Sequence, residues 1–419
     1  MDKLIITGGK KLSGDIEVSG AKNAILPIMA ATLLTDGISK LKNVPFLNDI
    51  KMMAHLLRIT GARVQHNSNR EMIIDTRDIC FFEAPYELVS KMRASVYVLG
   101  PLLARFKQAK VSFPGGCAIG ARPVDLHIAA MKKLGAEIEL KKGYINASAP
   151  SGLKGNNVFF EKSSVGATCN ALNAAALAEG KTIIQNAATE PEIDSLIDFL
   201  IACGASISGK GTKTIEITGV KKLKPAAMRM MPDRIEAGTF LIAGAVTKSE
   251  LCVKNCIPEH LSSLTEKLKE CGYNLETGKD FIKIKSDKPG KAASIKTLPY
   301  PGFPTDLQAQ FMALMSVSEG DSVIEETIFP DRFMHVAELN RLDADITTDR
   351  NIAVVKGVKK LSGAEVMATD LRASAALVIA GLAAEGQTVI SRIYHIDRGY
   401  EKIEKKLSSA GADIKRING

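Results

Sequence analysis

The sequence predicts an α/β protein of two domains, each assembled from three copies of one unit of about 70 residues. Three observations carry this expectation. A helix end running into a tight turn recurs along the chain, a second, acidic-glycine turn recurs half a unit away, and the strand that should close the last unit is missing from the C-terminus but stands at the N-terminus. The length of 419 residues exceeds what one ordinary core accommodates. With 46% hydrophobic and 24% charged residues the composition is that of a globular chain able to bury a sizeable core.

The first recurring element reads Leu57-Arg58-Ile59-Thr60-Gly61-Ala62, Met131-Lys132-Lys133-Leu134-Gly135-Ala136, Ile201-Ala202-Cys203-Gly204-Ala205, Leu268-Lys269-Glu270-Cys271-Gly272, Leu339-Asn340-Arg341-Leu342-Asp343-Ala344 and Leu407-Ser408-Ser409-Ala410-Gly411-Ala412. Its turn residues, Gly61, Gly135, Gly204, Gly272, Asp343 and Gly411, are separated by 74, 69, 68, 71 and 68 positions, the regularity of a structural repeat. Glycine suits a left-handed residue that ends a helix, and Asp343 alone departs from it. The second element is Ala178-Glu179-Gly180-Lys181-Thr182-Ile183-Ile184, Ser318-Glu319-Gly320-Asp321-Ser322-Val323-Ile324 and Ala384-Glu385-Gly386-Gln387-Thr388-Val389-Ile390. Each unit therefore reads as helix, strand, helix, strand, strand.

The closing strand and its turn repeat as Ile215 to Leu223 and Ile352 to Leu361. The last unit stops at Gly419 without them, while Leu4-Ile5-Ile6-Thr7-Gly8-Gly9-Lys10-Lys11-Leu12-Ser13-Gly14 copies them at the start of the chain. Residues 1–21 are therefore expected to complete the C-terminal domain. This gives one domain over 22–230 and a second over 1–21 and 231–419, each in pseudo-threefold arrangement, with crossings at Gly20-Ala21 and Met230-Met231-Pro232.

Several function classes fall away on composition. Met1 to Thr7 lacks the apolar run of a signal peptide, and Ala373 to Ala384 is too short to span a bilayer, so a cytoplasmic location is expected. Seven cysteines without a CxxC pair argue against a disulfide framework. Cys252 and Cys256 lie four apart, but no histidine pair follows at ligand spacing, so neither a metal site nor another cofactor is expected. The net charge of +9 invites a nucleic-acid reading. Dispersed lysines, 5% aromatic residues and no tryptophan offer no stacking platform, whereas small anionic substrates fit the same charge.

Two features point to chemistry. The loop from Phe113 to His127 packs Gly115, Gly116, Gly120, Cys117 and Arg122 together, so bare backbone amides, a thiol and a guanidinium share one segment. A polar cluster also precedes the first helix of each unit: Lys22-Asn23, Arg93-Ala94-Ser95, Ser163-Ser164-Val165-Gly166, Asp233-Arg234, Pro304-Thr305-Asp306 and Asp370-Leu371-Arg372. Helix capping accounts for Ser163, Thr305 and Asp370. It does not account for Lys22, Arg93, Arg234 and Arg372, because cations are unfavourable at that end unless an anion is near. Ends of this kind directed into one interdomain cleft would suit a phosphate- or carboxylate-bearing ligand.

These residues resemble the enolpyruvyl transferase family from Lys3 to about Arg416. The most specific stretches are Ser19 to Ala24, Met92 to Ser95, Pro114 to His127, Phe303-Pro304-Thr305-Asp306, Arg332 to His335, Met367 to Ser374 and Tyr394 to Tyr400. The resemblance implies two inside-out α/β domains, each of three βαβαββ repeats. It also implies transfer of the enolpyruvyl group of phosphoenolpyruvate to the 3′-hydroxyl of UDP-N-acetylglucosamine, by addition and elimination with release of phosphate, the first committed step of peptidoglycan synthesis. Asp306 then looks like the base near the sugar hydroxyl, and Cys117 resembles the family's loop thiol, which serves proton delivery and covalent capture of phosphoenolpyruvate. Lys22, Arg122 and Arg398 match the clamp on phosphoenolpyruvate, with Arg93, Arg332, Asp370 and Arg372 nearby. Asn23, Pro123, Val124, Asp125, Leu126, Lys162, Ser164, Val165, Gly166 and Ile328 match positions for the nucleotide sugar. His127 is open between a contact to the diphosphate and a structural role. The partners implied are these two small molecules, with no nucleic acid and no membrane, and a monomer. Two alternatives stay open at this point: a sister transferase acting on shikimate 3-phosphate, and a non-enzymatic or RNA-end-processing protein on the same repeats.

Overall fold

A strand with strict alternation buries one face and wets the other. Ile38–Lys42 does this, with Ser39 and Leu41 buried and Ile38, Lys40 and Lys42 exposed. In the computed structural model, which describes residues 2–90, 92–113 and 124–418 and, of Arg93, the backbone, such strands form six four-stranded sheets among the described residues. All six share one plan. In the first, Ala227–Arg229 runs parallel beside Ile38–Lys42, which pairs antiparallel with Met72–Asp75, and that strand with Arg63–His66.

The described residues divide into two compact units, one of 20–113 and 124–231, the other of 2–19 and 232–418. Within the first, helix Leu99–Phe106 packs on Val165–Ala175 and helix Lys22–Ala31 on Pro191–Ala202. Within the second, helices Arg234–Val246, Thr305–Met315 and Leu371–Ala383 pack pairwise on one another. Helices apolar on every side belong inside a core. In Arg234–Val246 every residue from Ile235 onward is buried, as is every residue from Leu307 onward in Thr305–Met315.

The N-terminal strand Lys3–Thr7 lies antiparallel between Gln387–Ser391 and Asp413–Ile417, with Leu4 opposite Ile390 on one side and Arg416 on the other. Ser13–Glu17 then runs parallel beside Glu250–Lys254 as the edge of another sheet in the same unit. The glycine after the closing strand shows why its sequence repeats. A Cβ at Gly8 would collide with the Ala384 carbonyl, as one at Gly219 would with that of Ala178 and one at Gly357 with that of Ser318. In all three repeats the strand end packs against the backbone where a helix gives way to the Glu-Gly turn.

The helix-ending turns are left-handed throughout, with φ of 106° at Gly61, 90° at Gly135, 99° at Gly204, 90° at Gly272 and 100° at Gly411. Asp343, the departure in sequence, is no departure in conformation, because its φ is 65°. A residue with a Cβ is strained there by about 1–2 kcal/mol, and the extra unfolded freedom of glycine offsets part of any relief. Asp343→Gly is expected to raise stability by about 0.5–1 kcal/mol in urea denaturation. An unchanged or lower midpoint would mean that the aspartate side chain compensates for its backbone.

Candidate active site

A charged, largely buried cluster of the second unit begins at the helix Thr305–Met315. Thr305, expected as a cap, is the first residue of the helix instead, with Pro304 at the cap position and no side-chain cap bond. Its hydroxyl donates to Oε2 of Glu326 at 2.8 Å. Glu326 is fully buried, and its Oε1 accepts from the Thr297 hydroxyl at 2.7 Å and from the backbone amides of Ile328 and Phe329 at 2.8 and 2.9 Å. Those bonds shape the turn that leads to Arg332.

Asp306 lies between two guanidiniums. Arg332 donates to Oδ1 at 2.9 Å, and Arg372 donates to Oδ2 at 2.7 Å. The arginine side chains are 5% and 4% exposed while that of Asp306 is 26% exposed, so the carboxylate is the open member of the trio. Burial alone would push the Asp306 carboxyl up, but the Arg372 and Arg332 charges and their hydrogen bonds hold it well below the usual carboxylate range. Burial likewise opposes the Arg372 charge, and the Asp306 carboxylate overrides it and pushes the guanidinium up.

Arg372 is held from behind as well. Its Nη1 donates to the Tyr400 hydroxyl at 3.3 Å. The Thr239 hydroxyl donates to the Ile235 carbonyl at 2.8 Å, so in its 2.8 Å contact with Tyr400 it accepts the phenol proton. Donation therefore runs in one direction, from Arg372 through Tyr400 and Thr239 to a helix carbonyl. Gln310 Nε2 sits 3.2 Å from the Tyr400 oxygen and donates to the Asp306 carbonyl at 3.0 Å. Asp370 caps the helix Leu371–Ala383, accepting from the amides of Arg372 and Ala373 at 2.7 and 3.1 Å. Arg398 is half-buried at the end of the short helix Ile393–Arg398.

In the first unit, Lys22 opens the helix Lys22–Ala31 with its ammonium 3.3 Å from Oδ2 of Asp49, and the two side chains are 10% and 4% exposed. Asp49 belongs to the first turn of another helix, Asn48–Ile59. A buried cation at a positive helix end thus has its carboxylate. Asn23 follows, half-buried. Ser164, rather than the expected Ser163, caps the helix Val165–Ala175 and accepts from the Ala167 amide at 3.3 Å, with Val165 and Gly166 in the first turn. Arg93 opens the short helix Arg93–Val98. Val124 is buried at the cap of Asp125–Lys133, Leu126 is half-buried, and Asp125 and Lys162 are exposed. His127 is 7% exposed, with Nδ1 2.8 Å from the Asn170 amide nitrogen.

The structure brings Asp306, Arg332, Asp370 and Arg372 together, and places Ile328 in their unit rather than in that of the other residues matched to the nucleotide sugar. Cys117, Arg122 and Pro123 lie outside the described residues. Sequence reasoning missed Asp49, Asn170, Thr239, Gln310, Glu326 and Tyr400. A partial signal existed for three of them: Asn170, Thr239 and Gln310 are polar residues in the interior of mostly apolar helices, where a buried polar group usually finds a partner. Among the described residues no group of His, Cys, Asp or Glu could hold a metal ion, and no helix is long and apolar enough to cross a membrane.

This α/β repeat plan agrees with what known proteins show. A family model described as EPSP synthase (3-phosphoshikimate 1-carboxyvinyltransferase) matches residues 6–407. Proteins named UDP-N-acetylglucosamine 1-carboxyvinyltransferase are 57% identical in Trichlorobacter lovleyi and 56% in Geobacter metallireducens, over 100% of both chains, and 53% in Myxococcus xanthus over 99% of both. The crystal structure of the enolpyruvyl transferase NikO from Streptomyces tendae superposes with a TM-score of 0.91 at 24% identity, covering 100% of this chain and 99% of that one. EPSP synthase from Acinetobacter baumannii superposes at 0.77 and 19% identity, covering 100% of both. The chain belongs to the enolpyruvyl transferase family.

Removing one hydroxyl tests the support behind Arg372. Tyr400→Phe leaves donors on Arg372 and Gln310 and an acceptor on Thr239 without their shared partner, and is expected to cost about 1–2 kcal/mol in urea denaturation. Wild-type stability in that variant would show that the phenol oxygen carries none of the load.

Proposed function

We propose that this chain transfers the enolpyruvyl group of phosphoenolpyruvate to the 3′-hydroxyl of UDP-N-acetylglucosamine, releasing phosphate by addition and elimination. The observation that carries the reading is full-length identity of 53–57% to proteins bearing that activity in their names. The alternative acceptor, shikimate 3-phosphate, has support only from the family description and from folds at 19% identity. Phosphate release from phosphoenolpyruvate with each acceptor in turn decides between them. Release with UDP-N-acetylglucosamine alone is expected, and release with shikimate 3-phosphate alone would overturn the reading. The enzyme is further proposed to work as a cytoplasmic monomer, which sedimentation and cell fractionation test.

In this reaction the hydroxyl must lose a proton, the methylene carbon must gain one, and carboxylate and phosphate charge must be met by cations. Asp306 is assigned the first task, because it is an ionised carboxylate held by two buried guanidiniums and more open than either of them. Lys22, Arg122 and Arg398 are assigned to phosphoenolpyruvate, with Arg93, Arg332, Asp370 and Arg372 supporting the charge. Asn23, Pro123, Val124, Asp125, Leu126, His127, Lys162, Ser164, Val165, Gly166 and Ile328 are assigned to the nucleotide sugar. Cys117 supplies the proton to carbon, since a thiol with an ordinary pKa of about 8.5 is mostly protonated at neutral pH. Cys117→Asp, whose carboxyl is raised by the bound anions, is expected to stay active, whereas Cys117→Ser, a far weaker acid, is expected to lose turnover. An inactive Asp variant would make the sulfur an obligatory nucleophile.

Asp306→Asn preserves shape but cannot take a proton, so kcat is expected to fall by roughly 10² to 10⁴ while substrates still bind. The same change leaves two guanidiniums without their counter-charge, and should lower stability by on the order of 2 kcal/mol. The sign with pH follows from the depressed pKa. The pairing is fully present above the unfolded value of about 3.9 and is lost as pH falls through the lower folded value, so the stability gap between variant and wild type should narrow only in acid. Near-normal turnover in Asp306→Asn would move the base elsewhere.

A further inference from the structure

Asn170 has no surface, being fully buried in the middle of the helix Val165–Ala175, and each of its hydrogen bonds fixes the next. Its Oδ1 accepts from the backbone amide of Gly100 at 3.1 Å, and its Nδ2 donates to the backbone carbonyl of Val96 at 3.0 Å. A backbone N–H only donates and a carbonyl only accepts, so the orientation of the Asn170 amide is determined. One hydrogen remains on Nδ2, and it is directed at His127 Nδ1, 2.8 Å away. His127 Nδ1 must therefore present a lone pair, which puts the ring proton on Nε2. That edge of the ring lies against Gly166 in the first turn of the same helix: a Cβ there would sit 3.0 Å from both Cε1 and Nε2.

Resting on the reading that Ser164, Val165, Gly166 and His127 meet the nucleotide sugar, we infer that Asn170 is a positioning residue that holds His127 in the Nε2–H tautomer, as a neutral donor to the diphosphate of that substrate. An imidazole with the proton on Nδ1 would turn a lone pair toward the phosphate oxygens and repel them. The buried amide removes that possibility before the substrate arrives. Gly166 belongs to the same device, since a Cβ at that position would crowd the Nε2 edge at 3.0 Å.

The test reverses the hydrogen-bond polarity facing Nδ1. Asn170→Asp is nearly isosteric but offers an acceptor there, which draws the proton to Nδ1. In wild-type protein, ¹⁵N spectra of the imidazoles, with the His127 signals identified by their loss in His127→Gln, should show a protonated Nε2 and a bare Nδ1. Asn170→Asp should move the proton to Nδ1 and raise the KM for UDP-N-acetylglucosamine and the Kd for UDP by roughly tenfold, the effect of losing one hydrogen bond to a charged group. The KM for phosphoenolpyruvate should stay within about twofold. In the His127→Gln background, Asn170→Asp should add no further loss, which separates an effect passing through His127 from the added negative charge or a packing defect. A wild-type ring protonated at Nδ1, or an equal Asn170→Asp penalty in both backgrounds, overturns the inference. Wild-type protein that releases no phosphate with UDP-N-acetylglucosamine overturns the functional reading instead, and leaves the tautomer result standing.

Discussion

A helix buried on all sides has no flank on which to carry a functional side chain, and this constraint governs the molecule. Arg234–Val246, Thr305–Met315 and Leu371–Ala383 are buried along almost their whole lengths. Their chemistry is confined to their ends, and the N-terminal end is the one with unpaired amides and partial positive charge. The core thus explains why Lys22, Asp306 and Arg372 all stand at first turns. Sheets that are polar on one face only can cover such helices without competing for those ends.

The same constraint creates an electrostatic problem. A cation at a positive helix end, withdrawn from water, is unfavourable twice over. The chain resolves it with carboxylates brought from elsewhere. Asp49 meets Lys22, and Asp306 meets both Arg332 and Arg372. Because both partners in each pair are nearly or largely out of solvent, removing one would strand the other, so these pairs fix geometry more than they add net stability. The chain of donors from Arg372 to the Ile235 carbonyl acts likewise, as a support that gives the guanidinium one position.

What the sequence made legible was what depends on neighbours along the chain. The left-handed turns at Gly61 through Gly411 follow from local backbone geometry, and even Asp343 adopts the conformation its repeat position requires. The N-terminal strand could be paired with the missing one because Gly8 meets the Ala384 carbonyl for the same reason that Gly219 meets that of Ala178. Cap positions were displaced by one residue at Ser164 and Thr305: two adjacent hydroxyls are equivalent candidates until the backbone chooses, and the helix after Pro304 already takes in Thr305. Partners distant in sequence were not legible. Lys22 and Asp49 are 27 residues apart, Asp306 and Arg372 66, and Thr239 and Tyr400 161. No local pattern carries such pairings. The matched motifs supplied Asp306 and Arg372 as site residues, while their supports, Glu326, Gln310 and Tyr400, emerge only from the packing.

Asp306 is asked to be two things that oppose one another. As counter-ion to two guanidiniums it is held ionised and is a weak base; as the proposed acceptor of the sugar hydroxyl proton it needs a pKa nearer neutrality. The geometry offers a way for both to hold. Each guanidinium engages a different carboxylate oxygen, and the carboxylate is more open than either arginine. An anionic substrate group that drew one guanidinium toward itself would free one oxygen and raise its basicity in the same event, since the charge that had lowered the pKa would then be shared. Base strength would thereby be tied to occupancy by the anion, and proton abstraction would wait for that anion. Asp306 unpaired in the free protein would be a stronger base at rest, but it would leave Arg332 and Arg372 as two adjacent buried cations, which is strongly destabilising. The depressed pKa of the resting carboxylate is therefore a consequence of placing it between two buried arginines, and an anion that engaged one of them would relieve it.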